Sequence, residues 1–190
     1  MIELINPPQT SALDGKLDPL GAKKLKLNLG CGVKTQEGYV NIDLDKGSKA
    51  DIVSSVVELP FFNDCSIEEI TAYHLIEHLS RSEFDRAILE WYRILESGGK
   101  ITLECPDFEA LCKEFLEADN VNRWYSYRGT WNSLIAHFYG KQTSPLQVHK
   151  NAFTKDRLSD LLAKSGFINI TFVKPEYEYC PCIRVEATKP

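Results

Sequence analysis

The chain alternates short apolar runs with polar or glycine-rich breaks, and the apolar spacing switches between period two and period 3.6. Lys24-Leu25-Lys26-Leu27-Asn28-Leu29 alternates strictly and stops at Gly30-Cys31-Gly32, which predicts a strand running into a tight glycine turn. Tyr39 to Leu44 predicts a second strand, Asp51 to Val57 a third that ends at Leu59-Pro60-Phe61, and Ile67 to Tyr73 a fourth. Helical spacing takes over at Ser80. Ser80 with Glu83 fits a capping box, Phe84, Ile88, Trp91 and Leu95 recur on one face, and Gly98-Gly99 is the expected end of that helix. Lys100 to Cys105 predicts a fifth strand, followed by a helix from Asp107 to about Ala118 with Phe108, Leu111, Cys112 and Phe115 on one side.

Further along, Thr154 caps a helix carrying Leu158, Leu161 and Leu162, which Gly166 ends. Phe167 to Lys174 and Ile183 to Thr188 predict two closing strands. Too few residues join them for a crossover helix, so they should be antiparallel. Strands alternating with helices elsewhere predict an α/β class with a mostly parallel, seven-stranded sheet. Two segments break the rhythm. Residues 1 to about 22 are rich in Pro, Gly and polar residues and read as an irregular lead-in, and residues 119 to 150 hold Trp124, Tyr125, Tyr127, Trp131, His137, Phe138 and Tyr139 without clean periodicity, as in an insertion that covers a site.

At 190 residues and 43% hydrophobic content the expectation is a single domain spanning 1–190, with one core. A net charge of −5 argues against a broad basic surface, so no nucleic-acid partner is expected and a small-molecule substrate is favoured. No apolar run approaches the roughly 18 to 20 residues that span a bilayer. The start, Met1-Ile2-Glu3, has no basic stretch followed by an apolar one. The expectation is therefore a cytoplasmic protein with no membrane partner, acting as a monomer or homodimer. The six cysteines include no C-x-x-C pair and read as free thiols; Cys180-Pro181-Cys182 has a poor zinc spacing, and no metal is expected.

A glycine turn after the first strand lets a ligand approach the backbone closely, and a carboxylate ending the next strand can grip both hydroxyls of a ribose. Gly30, Gly32 and Asp43 have that arrangement, while Lys34 and Thr35 stand where a dinucleotide fingerprint would place its third glycine. These residues resemble the class I S-adenosylmethionine-dependent methyltransferases: Leu27 to Gly32 is similar to their first motif and Val40 to Leu44 to their second. Glu58-Leu59-Pro60-Phe61, Tyr73 to Leu79 and Arg93 to Lys100 are similar, in order, to later segments of the type 11-like branch of that family. The resemblance covers residues 25 to 107 well.

It implies a Rossmann-like fold with S-adenosyl-L-methionine as cofactor and methyl transfer to a small-molecule oxygen, nitrogen or carbon. Asn28, Leu29, Gly30, Cys31 and Gly32 would form the cofactor turn, Asp43 with Leu44 would hold the ribose, Val56 or Val57 would lie by the adenine, and His74 would face the substrate. The sequence departs from the family at Gly32 to Tyr39 and Asp45 to Asp51, which are too short for crossover helices, so reduced helices are expected there.

Methyl transfer often needs a base, which a neutral histidine provides near pH 7. His149 is the first candidate and Asp107 the second, although Asp107 could equally cap a helix. Two other functions fit parts of the chain. His74-Leu75-Ile76-Glu77-His78 matches H-x-x-E-H, the pattern of a zinc-dependent hydrolase in which two histidines share a helix face, yet His74 falls at a strand end. A non-catalytic cofactor-binding or interaction module would keep the fold alone.

Overall fold

The computed structural model describes residues 24–117, 134–177 and 180–190. The expected lead-in over residues 1–22, and the part of the insertion that holds Trp124, Tyr125, Tyr127 and Trp131, lie outside the described residues. The strands are β1 (Leu25–Leu29), β2 (Val40–Asp43), β3 (Ile52–Val53), β4 (Ile67–Tyr73), β5 (Leu95–Pro106), β6 (Ile168–Val173) and β7 (Cys182–Thr188). The helices are α1 (Arg81–Ile94), α2 (Phe108–Glu117), α3 (Leu134–Tyr139) and α4 (Lys155–Lys164).

All seven strands join one sheet in the order β3-β2-β1-β4-β5-β7-β6. The β1–β2, β2–β3, β1–β4 and β4–β5 pairs are parallel, while β7 runs antiparallel to both β5 and β6. This is the expected Rossmann-like α/β arrangement with its antiparallel C-terminal pair. Strand order reverses between β1 and β4, and in such sheets a ligand crevice opens beyond the carboxyl ends of the two strands at that point.

Period two divides the sheet into two unlike faces. Leu27, Leu29, Ile70, Ala72, Ile101 and Leu103 are at most 1% exposed and form one core with Phe84 and Trp91 of α1 and Leu158 and Leu162 of α4. The intervening positions are polar yet buried, and Asn28, Thr71, Thr102 and Glu104 are examples. Burying such groups is tolerable only when they are hydrogen-bonded. Asn28 Nδ2 donates to Asn41 Oδ1 at 2.8 Å, Gln36 Nε2 donates to Thr71 Oγ1 at 3.1 Å, and Glu104 accepts from the backbone amides of Glu176 and Tyr177 at 2.8 and 2.9 Å. A neighbouring strand and loops, rather than helices, supply these partners: the links from β1 to β2 and from β2 to β3 contain no helix, as their lengths required.

The capping box forms as expected: Ser80 N donates to Glu83 Oε2 at 2.7 Å and Ser80 Oγ accepts from Glu83 N. Two boundaries differ from expectation. Helix α1 ends at Ile94, and Gly98-Gly99 lies inside β5, where the pairing with β4 jumps from Ile67↔Leu95 to Glu69↔Lys100. The glycines mark a bulge. A Cβ on Gly99 would stand 2.8 Å from the Glu96 carbonyl oxygen, so this close backbone approach excludes a side chain. The third strand is only two residues long, and one cause is visible: the Val56 carbonyl turns into the core to accept from Trp91 Nε1 at 2.9 Å.

Candidate cofactor and acceptor cavity

Gly30 and Gly32 adopt φ of +67° and +52°, the left-handed region that glycine enters without penalty. A Cβ on Gly30 would meet Leu75 Cδ1 at 2.7 Å. The bend is tied down from within: the Gly30 and Cys31 amides donate to the Ile42 carbonyl, and the Gly32 amide donates to Asp43 Oδ2 at 2.7 Å. Asp43 Oδ1 also accepts from Asp45 N at 2.8 Å. The carboxylate thus points at the glycine bend, while the bend amides are not bare, as the turn alone would suggest. Each Asp43 oxygen retains a lone pair for a further donor.

A cavity of about 540 Å³ opens beside the bend, bounded by Gly30, Cys31, Lys34, His74, His149 and Tyr177. Its size suits a small ligand. The chain has four histidines, and all four line this cavity. His74 follows β4 with φ of +51°, an uncommon conformation for a side chain-bearing residue, and its amide donates to the Glu104 carbonyl at 2.8 Å. That turn aims the ring sideways. His74 Nδ1 donates to Glu77 Oε1 at 3.1 Å, and Nε2 lies 3.8 Å from Cys182 Sγ. Burial alone would disfavour the imidazolium, but the contacts with Cys182 and the Glu77 carboxylate together outweigh it and raise the His74 pKa.

A 3-10 turn, Ile76–His78, carries Glu77 and His78. The Glu77 carbonyl accepts from the amides of Lys150 and Asn151 at 2.8 and 3.1 Å, which clamps the 148–151 segment onto this turn. His149 is thereby set against His78, with ring centroids 4.8 Å apart and planes at 77°. His149 Nδ1 donates to the His137 carbonyl at 2.8 Å, and burial lowers its pKa, so the ring is neutral near pH 7. Tyr177 closes one side, edge-on to His74 at 5.1 Å and capped by Lys34 Nζ at 3.8 Å from its ring centroid.

Of the residues singled out from sequence, Gly30, Cys31, His74 and His149 meet around this cavity, and Asn28 lines a smaller adjoining one. Leu29, Val56 and Val57 are in the core, where the Val56 carbonyl accepts from Trp91 Nε1 and the Val57 amide donates to Ser55 Oγ. Leu44 is exposed. Asp107 is not among the residues lining the cavity, and its Oδ1 accepts from Ala110 N at 3.2 Å, as a cap of α2 would. The H-x-x-E-H pattern does not converge either. His74 turns toward Glu104 and Cys182, while His78 groups with Glu77 and His149. Glu77 and His78, which the sequence offered only through the H-x-x-E-H pattern, line the cavity together with His137, and long-range partners 70 to 74 residues away hold Glu77 and His78.

Cys31 gives a check on this environment. Burial, with the charges of Asp43 and Asp51, pushes its thiol up to about 11. At pH 8 only about one such thiol in a thousand is ionised. Iodoacetamide is expected to alkylate the exposed Cys65 well before Cys31, as read by peptide mass mapping. Equal rates would contradict the burial described.

Comparison with known proteins agrees with this geometry. Residues 25–103 match the profile of a family described as "Methyltransferase domain". A provisionally named methyltransferase of Encephalitozoon cuniculi (strain GB-M1) is 31% identical over 111 residues, covering 55% of this chain and 52% of that protein, so the chain spans about half the length of this curated relative. Among solved structures, a SAM dependent methyltransferase from Archaeoglobus fulgidus superposes with a TM-score of 0.62 at 15% identity, covering 95% of this chain and 92% of that one. The Burkholderia thailandensis 1,6-didemethyltoxoflavin-N1-methyltransferase, solved with its substrate and S-adenosylhomocysteine, gives a TM-score of 0.55 at 13% identity, with 94% and 76% covered. On the matched segment and the strand order together, the chain is similar to S-adenosylmethionine-dependent methyltransferases over residues 25–103 and shares their fold.

Proposed function

We propose that this protein transfers a methyl group from S-adenosylmethionine to a small-molecule oxygen, nitrogen or carbon acceptor. The observation that supports the reading is the bond from the Gly32 amide to Asp43 Oδ2, which sets the Asp43 carboxylate against a glycine bend whose Gly30 and Cys31 line a cavity. The residues fit the cofactor: Gly30 leaves a cradle that a Cβ would fill, and Asp43 keeps lone pairs for two sugar hydroxyls. When bound, the cofactor supplies an electrophilic methyl group on a sulfonium centre. Gly30 and Cys31 pack against its methionine part, and His74, His78 and His149 wall the acceptor end. Catalysis here consists of aligning the acceptor lone pair with the methyl carbon and shutting out water, with Tyr177 over the cavity. The neutral His149 ring offers a lone pair there, for the acceptor's proton or for another electrophile.

Asp43→Ala is expected to weaken S-adenosylhomocysteine binding by more than about tenfold, since the loss removes charge-assisted bonds to the sugar and the tie to the bend. Titration calorimetry measures this, and an unchanged affinity would move the ribose elsewhere. Turnover is tested by incubating the protein and methyl-labelled cofactor with a metabolite extract, followed by mass spectrometry. At least one compound should gain a methyl group in wild type and not in Asp43→Ala. Cofactor binding with no compound methylated would favour the non-catalytic module.

A further inference from the structure

Glu77 poses a problem that the methyl-transfer reading leaves open. Its side chain is 3% exposed, Oε1 accepts from His74, and Oε2 is buried with no hydrogen-bond partner among the described residues. An unsatisfied buried carboxylate oxygen is costly and calls for a partner. A carboxylate oxygen therefore stands beside the cavity with a vacant lone pair.

Two histidines stand close to this carboxylate, with one ligand atom from each of Glu77, His78 and His149 within 4.8 Å of the others. Their tautomers are set from behind. His78 Nδ1 donates to the Val148 carbonyl at 3.2 Å and His149 Nδ1 to the His137 carbonyl at 2.8 Å, so on both rings the proton sits on Nδ1 and the lone pair on Nε2. A metal-ligating histidine has this second-shell pattern, its other nitrogen donating to a backbone carbonyl. We propose that Glu77, His78 and His149 hold one divalent transition-metal ion in the wall of the cavity. Two imidazoles and one carboxylate suit zinc, iron or cobalt and leave positions open for an outside ligand. Donors in a formed tetrahedral site stand about 3.3 Å apart, so metal binding would draw these side chains together.

A second group, His74 with Glu104 and Cys182, also lies within 4.8 Å. Its donors are less available: both Glu104 oxygens accept backbone amides, and the bond to Cys180 together with burial keeps the Cys182 thiol protonated. The observations therefore favour the first trio. Its place at the acceptor end gives the ion a use, and this part rests on the methyl-transfer reading: it would bind an oxygen or nitrogen donor of the acceptor and promote loss of its proton.

The test uses the full chain, stripped with a chelator and free of cofactor, titrated calorimetrically with Zn²⁺ alone. Wild type should bind one ion per chain. Glu77→Gln and His149→Ala should each weaken binding by at least about tenfold while the thermal unfolding midpoint stays near wild type, and Cys182→Ser should leave binding unchanged. His149→Gln serves if the alanine variant fails to fold. With Co²⁺ as probe, the visible spectrum should lack thiolate-to-metal charge transfer. Loss of binding in Cys182→Ser, a thiolate band, or no zinc bound by wild type would overturn the proposal. Because the titration contains no cofactor, its failure leaves S-adenosylhomocysteine binding standing, and the converse failure leaves the metal site standing.

Discussion

Trp91→Ala is expected to destabilise the protein by about 4–5 kcal/mol, the largest effect of any single change considered. The indole is fully buried in the core beneath β1, β4 and β5, so its removal leaves a cavity that rigid neighbours fill only in part. The change also strands the Val56 carbonyl, which now accepts from Trp91 Nε1 at 2.9 Å. Trp91→Phe separates the two contributions, since it keeps most of the volume and loses the hydrogen bond, and it should cost about 1–2 kcal/mol. Urea unfolding measures both, provided that the slope is unchanged between variants. A loss below about 2 kcal/mol for the alanine variant would mean that this part of the core is loosely packed.

Gly30→Ala should damage stability and binding together. A non-glycine residue at φ of +67° costs roughly 1–2 kcal/mol, and the new Cβ would press on Leu75 at 2.7 to 3.0 Å. Leu75 can turn its Cδ1 aside, but contacts at its Cβ and Cγ remain, so about 2–3 kcal/mol is expected in total. For a chain of this length that lowers the unfolding midpoint by roughly 5–10 °C. The added methyl group narrows the approach to the backbone, and S-adenosylhomocysteine affinity should fall more than about tenfold. Gly38→Ala is a useful contrast, for it too has positive φ, +81°, yet a Cβ there meets nothing within 4 Å. It should be destabilised by backbone strain alone and bind the cofactor normally.

What the sequence made legible follows from how local each cause is. The alternation of Ile67 to Tyr73 and the Ser80–Glu83 pair are decided by residues within a few positions of one another, and β4 and the α1 cap fall where those patterns put them. The lengths of Gly32 to Tyr39 and Asp45 to Asp51 sufficed to remove two crossover helices. Where a distant partner decides, the reading erred. Gly98-Gly99 resembled a helix stop because nothing nearby reveals that Lys189 pairs with both glycines across β7. Val53 to Val57 kept a strand-like pattern, but Trp91, 35 positions on, draws the Val56 carbonyl away.

The site divides along the same line. Gly30, Gly32 and Asp43 lie close in sequence and carry a recognisable motif. The meeting of His78 with His149 depends on the Glu77 carbonyl catching the amides of Lys150 and Asn151, a contact with no local signature. H-x-x-E-H was visible, but the left-handed turn at His74 divides its histidines between two groups, and only that geometry shows which of them groups with Glu77 and His149.

One measurement bears most directly on the whole account: calorimetric titration of the wild-type chain with S-adenosylhomocysteine. A single site per chain with a micromolar or tighter dissociation constant is the predicted result. Absence of heat at high micromolar ligand, with the protein folded, would contradict the assignment of the glycine bend and Asp43 to a nucleoside cofactor.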